Sequence, residues 1–241
     1  MNSGTRALWF AGVLFCSCVL GQQRPASAKS SAPIDITGYW VAVIDEDWRW
    51  RMVTPAKGDY ASIPLTKEGK AIADTWDPAK DTAAGEQCRA YAAPGLMRLP
   101  VRLHIYWQDD NTLAVESDLG MQKRLFHFGN WKQGSGPATW QGDSTANWER
   151  PRGAASGGSL TVTTTNMRPG YMRRNGVAFS AGARLTEYID LVAEDNRDRW
   201  LVDTLVLNDP QMLQVPWTTP IHYKKEADAS KWEPTPCSAT W

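Results

Sequence analysis

Glu187 is the residue most in need of a chemical explanation. It lies in Leu185-Thr186-Glu187-Tyr188-Ile189-Asp190, where strand alternation puts it on one face with Leu185, Ile189 and Leu191. A carboxylate in an apolar row must find a partner or shift its pKa, which makes Glu187 a candidate inward functional group. Arg102, Arg124 and Arg184 are arginines that could pair with it, and a structural salt bridge is the commoner outcome. Asp203 poses the same problem in Leu201-Val202-Asp203-Thr204-Leu205. The three histidines are His104, His127 and His222. If the strands carrying His104 and His127 are neighbours, the two imidazoles can approach on one face and, with Glu116 or Glu187, form a general acid/base set. The plainer alternative leaves them on the solvated outer face. No His-x-His or His-x-x-x-His spacing occurs, so no metal site is expected. Ser144, in Gly142-Asp143-Ser144, lacks the second glycine of a nucleophile elbow. No phosphate loop, dinucleotide fingerprint or calcium loop is present, and no cofactor is expected.

Tryptophan is abundant, with 13 in the chain. Either a wide barrel is lined by indoles that hold a flat apolar or sugar-like ligand, or the rings fill an aromatic core. Trp48, Trp50, Trp107, Trp140 and Trp148 are the rings expected inside a cavity, with Arg102 as an anchor.

The elements that must position these groups begin after a leader. Arg6 supplies a positive n-region, and Ala7 to Leu20 is an apolar stretch too short to span a bilayer. Ala26-Ser27-Ala28 gives the small-x-small pattern, so residues 1–28 read as a signal peptide cleaved after Ala28. The rival is a lipoprotein tethered through Cys18. No later segment is apolar enough to cross a membrane. The leader holds Arg6 and Arg24 and no acid, so the mature chain has 24 basic and 26 acidic residues, a net of −2. That balance excludes a nucleic-acid partner. Cys88 and Cys237 remain, and in an oxidising compartment an even pair reads most simply as a disulfide, two free thiols being the alternative.

Residues 29–241 read as a single β-barrel domain. The first strand is Ile34 to Ile44, followed by an acidic turn and by Trp48 to Val53, whose alternation reads as a second strand. Thr66 to Trp76 is a helix capped by Thr66. Asp77 to Pro100 reads as an irregular connection. Two hairpins follow over Val101 to Phe128, then a run from Trp140 to Asp209 with the spacing of an antiparallel meander. Within it, Met167 to Gly182 is a long excursion with a basic, aromatic tip. The last strand is Thr218 to Lys224. About ten strands and one or two short helices result.

Two resemblances add to this reading. Thr37-Gly38-Tyr39-Trp40 resembles the Gly-x-Trp at the start of lipocalins, which implies that Trp40 closes one barrel end beneath a late basic residue, here Arg199. The order Cys88 to Gly95, Trp140-x-Gly142-x-Ser144, Trp148-Glu149, Thr186-Glu187 and Asp209-Pro210 with Pro216-Trp217-Thr218 resembles a large family of secreted bacterial β-rich proteins. That likeness implies export and a β-rich fold, and carries no reaction with it. Two departures stand out: Arg150 to Gly158 lengthens a hairpin tip, and Asp143 stands where some of those proteins have histidine.

The expectation is an all-β, antiparallel, lipocalin-like barrel that binds a small apolar or aromatic molecule in the periplasm or outside the cell. The alternative is an enzyme of hydratase, lyase or isomerase type using Glu187, His104 and His127 in the barrel cavity. A surface-tryptophan sugar-binding module is the third class.

Overall fold

The computed structural model describes residues 1, 26–134, 136–153 and 157–239. Most of the leader, Cys18 included, lies outside them. Among the described residues no helix is long and apolar enough to cross a membrane.

In chain order the strands are β1 (Gly38–Val43), β2 (Arg102–Asp109), β3 (Thr112–Ser117), β4 (Lys123–Phe128), β5 (Asp143–Glu149) and β6 (Ser159–Thr165). They continue as β7 (Tyr171–Arg173), β8 (Val177–Ala178), β9 (Arg184–Ala193), β10 (Arg199–Asn208) and β11 (Trp217–Lys225). Nine close a barrel in the order β1-β11-β10-β9-β6-β5-β4-β3-β2, and β2 returns to β1. β7 and β8 form a separate two-stranded ribbon. The all-β barrel expected from the sequence is therefore present.

One pairing departs from the antiparallel expectation. β4 and β5 run parallel, with Phe126 opposite Ser144 and Phe128 opposite Ala146. Parallel neighbours need a crossover of a dozen or more residues. The 14 residues between Phe128 and Asp143 provide it.

Alternation along each strand sorts the residues by face. Trp40, Leu103, Ile105, Leu113, Val115, Phe126, Leu160, Val162, Leu185, Leu201, Leu205, Ile221 and Tyr223 are buried and form one core. Each aliphatic or aromatic side chain taken fully out of water contributes about 1.5–3 kcal/mol. Trp40 donates its indole Nε1–H to the Ile36 carbonyl at 2.9 Å. The cation over its ring is Lys225, with Nζ 4.5 Å from the centroid. Arg199, expected in that place, instead donates to the Asp35 carbonyl at 3.1 Å. β11 runs one residue beyond Lys224, the partner of Trp200, and that residue, Lys225, lies opposite Trp40.

One barrel end, where β1 finishes and β2 starts, carries a cover. Its helices are α1 (Trp48–Arg51), α2 (Lys67–Ala73), α3 (Pro78–Ala83) and α4 (Ala93–Leu96), with a 3-10 turn at Arg89–Tyr91. This is more helix than the sequence suggested. The largest correction is Trp48–Val53, read as a strand. Asp47 takes φ 52° and turns the chain into α1, and Trp48 points to solvent, 64% exposed. Arg51 is drawn inward instead, donating from Nε to the Arg98 carbonyl at 2.9 Å and pairing with Glu46. A tertiary demand on one arginine overrides local alternation.

α2 begins as expected: Thr66 Oγ1 accepts from Gly69 N–H at 2.9 Å. Cys88 and Cys237 form a disulfide across 149 residues, which ties the C-terminal segment to the cover.

Candidate functional site

Inside the barrel, Arg124 on β4 meets Glu187 on β9. Nη1 donates to Oε1 at 2.7 Å and Nη2 to Oε2 at 2.6 Å, the two-pronged geometry that suits guanidinium and carboxylate. Nη2 also reaches Thr164 Oγ1 at 3.3 Å, and that hydroxyl shares a 2.7 Å bond with Ser144. Both charged side chains are fully buried. Of the three arginines proposed as partners, Arg124 is the one used.

Asp203 on β10 is the second buried acid, 1% exposed. Burial first, then the negative charge of Glu187, pushes its pKa well above the ordinary carboxyl value. Neither Asp203 oxygen receives a hydrogen bond from a protein donor among the described residues. That direction favours the neutral, protonated form of Asp203 beside the Arg124–Glu187 pair. That assembly occupies the interior, where the sequence reading placed a ligand cavity.

The histidines lie elsewhere. His104 is on the outer face of β2, stacked on Tyr39 at 4.3 Å and 3.9 Å from Glu116 Oε2. His127 is on the outer face of β4, stacked on Trp131 at 4.1 Å, and burial under that ring lowers its pKa. Glu187 points inward and both imidazoles outward, so the sheet separates the expected acid from its expected bases.

The tryptophans are dispersed. Trp107 and Trp148 pack with Phe128, at centroid distances of 5.5 and 5.3 Å from it. Trp140 lies under Arg168 at 4.6 Å, and Trp50 donates to Asp59 Oδ2 at 3.1 Å within the cover. Arg102 points outward to Glu226 at 3.1 Å. These rings serve several separate contacts rather than one cavity wall.

The cover holds a cleft of about 260 Å³ between α2, α3 and the β7–β8 ribbon. Trp76 and Ile72 form its apolar side. At its floor the Asp81 carboxylate accepts from Tyr171 Oη at 2.8 Å and from Arg89 Nη1 at 2.9 Å. The Arg89 guanidinium also lies 4.4 Å from the Tyr171 ring centroid. Burial and the bond to Asp81 raise the Tyr171 pKa, so the phenol stays a donor. Gly176 keeps the wall close to Trp76: its φ is +84°, and a Cβ there would lie 2.2 Å from Trp76 Cβ. The sequence reading had Trp76 only as a helix residue facing the sheet, and did not single out Asp81 or Arg89. Tyr171 was visible only as part of the aromatic tip of the excursion.

A third cluster sits where β1 meets the cover. Asp45, Glu46 and His222 offer ligand atoms within 4.8 Å of one another. Their atoms are already engaged: His222 Nδ1 lies 3.0 Å from Asp45 Oδ1 and 3.1 Å from Glu46 Oε2, and Glu46 also pairs with Arg51.

Compared with protein-family models the chain matches none, and it matches no curated protein. What the fold and these sites define is a class: a closed, nine-stranded mixed β-barrel with a salt-bridged interior. A helical cover caps one end, and a disulfide secures the tail to that cover.

Proposed function

We propose that this is an exported barrel protein that binds a small flat molecule in the Trp76 cleft. The ligand is aromatic or apolar on its face and polar at its edge. The observation that carries the reading is the combination of an indole wall with a preset polar floor, Asp81–Tyr171–Arg89, in one concave site. The volume suits a single ring with a few substituents. Trp76 stacks on the ring face, while Arg89 and the Tyr171–Asp81 pair address its polar rim. Export is supported by the leader pattern in residues 1–28 and by the Cys88–Cys237 disulfide, which persists in an oxidising compartment.

The barrel interior carries no ligand in this reading, because Arg124, Glu187 and Asp203 fill it together with the hydrocarbon core. The acid/base alternative has no geometric support, since Glu187 faces inward and His104 and His127 face outward.

Ligand-observed NMR with a library of monocyclic fragments tests the proposal. Fragments that bind the wild-type chain and are lost in both Trp76→Ala and Arg89→Met support it. No binders to the wild type, or binders indifferent to both substitutions, overturn it.

A further inference from the structure

A second, narrower pocket beside the β7–β8 ribbon is lined by Trp50, Arg51, Arg98, Met172, Arg173 and Arg174. Four arginines converge there, each at most 5% exposed. Two carboxylates are paired with them: Glu46 with Arg51, and Asp47 with Arg98 Nη2 at 2.9 Å. Asp59 adds a third negative charge nearby, but its carboxylate is taken by Arg49 at 3.2 Å and by the Trp50 indole. Arg174 Nη2 donates to the Arg51 carbonyl at 2.5 Å, and Arg98 Nη1 to Thr219 Oγ1 at 2.6 Å.

Arg173 is different. Its Nη1 donates to the Ala61 carbonyl at 2.9 Å and its guanidinium lies 5.0 Å from the Trp50 ring centroid. Nε and Nη2, the edge of the fork that takes a carboxylate or phosphate, are buried and have no hydrogen-bond partner among the described residues. Arg51 Nη2 is in the same condition. Burying such donors without acceptors is costly, more so when the group is charged. Burial, and for Arg173 the repulsion of Arg98, pulls the pKa values of Arg173 and Arg174 down to about 10. Both remain cationic at neutral pH.

We propose that this pocket is a binding site for a small oxyanion, a carboxylate or phosphate group, held by the Nε and Nη2 of Arg173 and the Nη2 of Arg51. The free space between the side chains is about that of one water, so an oxyanion takes the place of that solvent as the surrounding side chains move outward. Arginine is suited to this role because its planar fork offers two parallel donors and is less strongly hydrated than an ammonium. The site shares no lining residue with the Trp76 cleft and stands independently of it.

The test uses the whole mature chain with inorganic phosphate, sulfate and acetate, each against chloride at matched ionic strength. Side-chain Nε–H resonances of arginine are followed by NMR and the unfolding midpoint is measured in parallel. The expected result is a saturable shift of the Arg173 Nε–H and a higher midpoint with at least one oxyanion. Both effects should disappear in Arg173→Gln, which keeps a donor for the Ala61 carbonyl, and persist in Arg184→Gln, a change at an exposed site outside the pocket. Arg173→Lys retains the charge and loses the fork, and should bind at least tenfold more weakly. No saturable shift, equal response to chloride, or undiminished binding in Arg173→Gln would mean that the buried nitrogens are met by water only, and would overturn the proposal. If both Arg173 variants fail to unfold cooperatively, the wild-type resonance titration decides alone.

Discussion

Replacing Asp203 with asparagine tests where the proton sits in the barrel interior. The folded pKa of this carboxyl is raised above its ordinary value of 3.8, first by burial and then by Glu187. Below that ordinary value both folded and unfolded chains hold the proton. Above it the unfolded chain releases the proton while the fold retains it. Stability contributed by this group therefore falls as pH rises, by about 1.4 kcal/mol per unit, until the folded group itself ionises. Asparagine matches the neutral acid in shape, can donate an N–H to Glu187, and has no proton to lose. The difference in unfolding free energy between Asp203→Asn and wild type should thus move in favour of the variant with each pH step above 4. Urea titrations of both proteins at unit intervals from pH 4 to 8 measure it, and titrating groups that do not interact with Asp203 cancel in the difference. A difference that stays flat with pH, or moves against the variant, would refute a protonated Asp203. The same logic extends to Glu187→Gln. Loss of one partner from a buried pair costs about 3–5 kcal/mol. Here Asp203 can ionise and take over Arg124, so the single change should cost less, and the full penalty should appear only when both acids are replaced.

Three further outcomes follow from other contacts. Replacing Cys88 and Cys237 with serine releases a loop spanning 149 residues and should cost about 5 kcal/mol in the chain-entropy account; denaturant unfolding measures it, and an unchanged midpoint would count against the bond as a stabiliser. Gly176→Ala forces a side chain onto Trp76 at a φ of +84°, so it should destabilise by about 1–3 kcal/mol and alter the near-ultraviolet circular dichroism of the indole. Lys225→Met removes the cation over Trp40 and should cost about 0.5–2 kcal/mol in a melting experiment, more than Arg199→Met does.

The barrel was legible because its strands are amphipathic in a period of two, and Leu103, Leu185 and Leu205 fall on the inner face that alternation assigns. The buried salt bridge was half legible. An acid among Leu185, Ile189 and Leu191 announces a partner, but which arginine it meets depends on strands far apart in sequence. The cover was the least legible part. Its helices are of four to seven residues, too short for periodicity to register, and its sites depend on which loop side chains the barrel end recruits. Trp48 and Arg51 illustrate this: a strand pattern put the tryptophan inside, yet the arginine is buried and the indole faces water. The paired basic residues Arg173 and Arg174 were visible as a basic tip, but their burial was not foreseeable from composition.

The ion pair between Arg124 and Glu187 also acts as a lock on alignment during assembly. β6 is rich in threonine and β9 in aliphatic residues, and a slip of two residues keeps every side chain on its own face, so hydrophobic contacts alone discriminate weakly between such alignments. A slip of two residues would carry Glu187 about 7 Å along the barrel wall from Arg124 and leave that guanidinium with only Asp203 to balance it, a loss larger than any single methyl contact. The interior charge thus singles out one way of closing the barrel from the others its strands would tolerate.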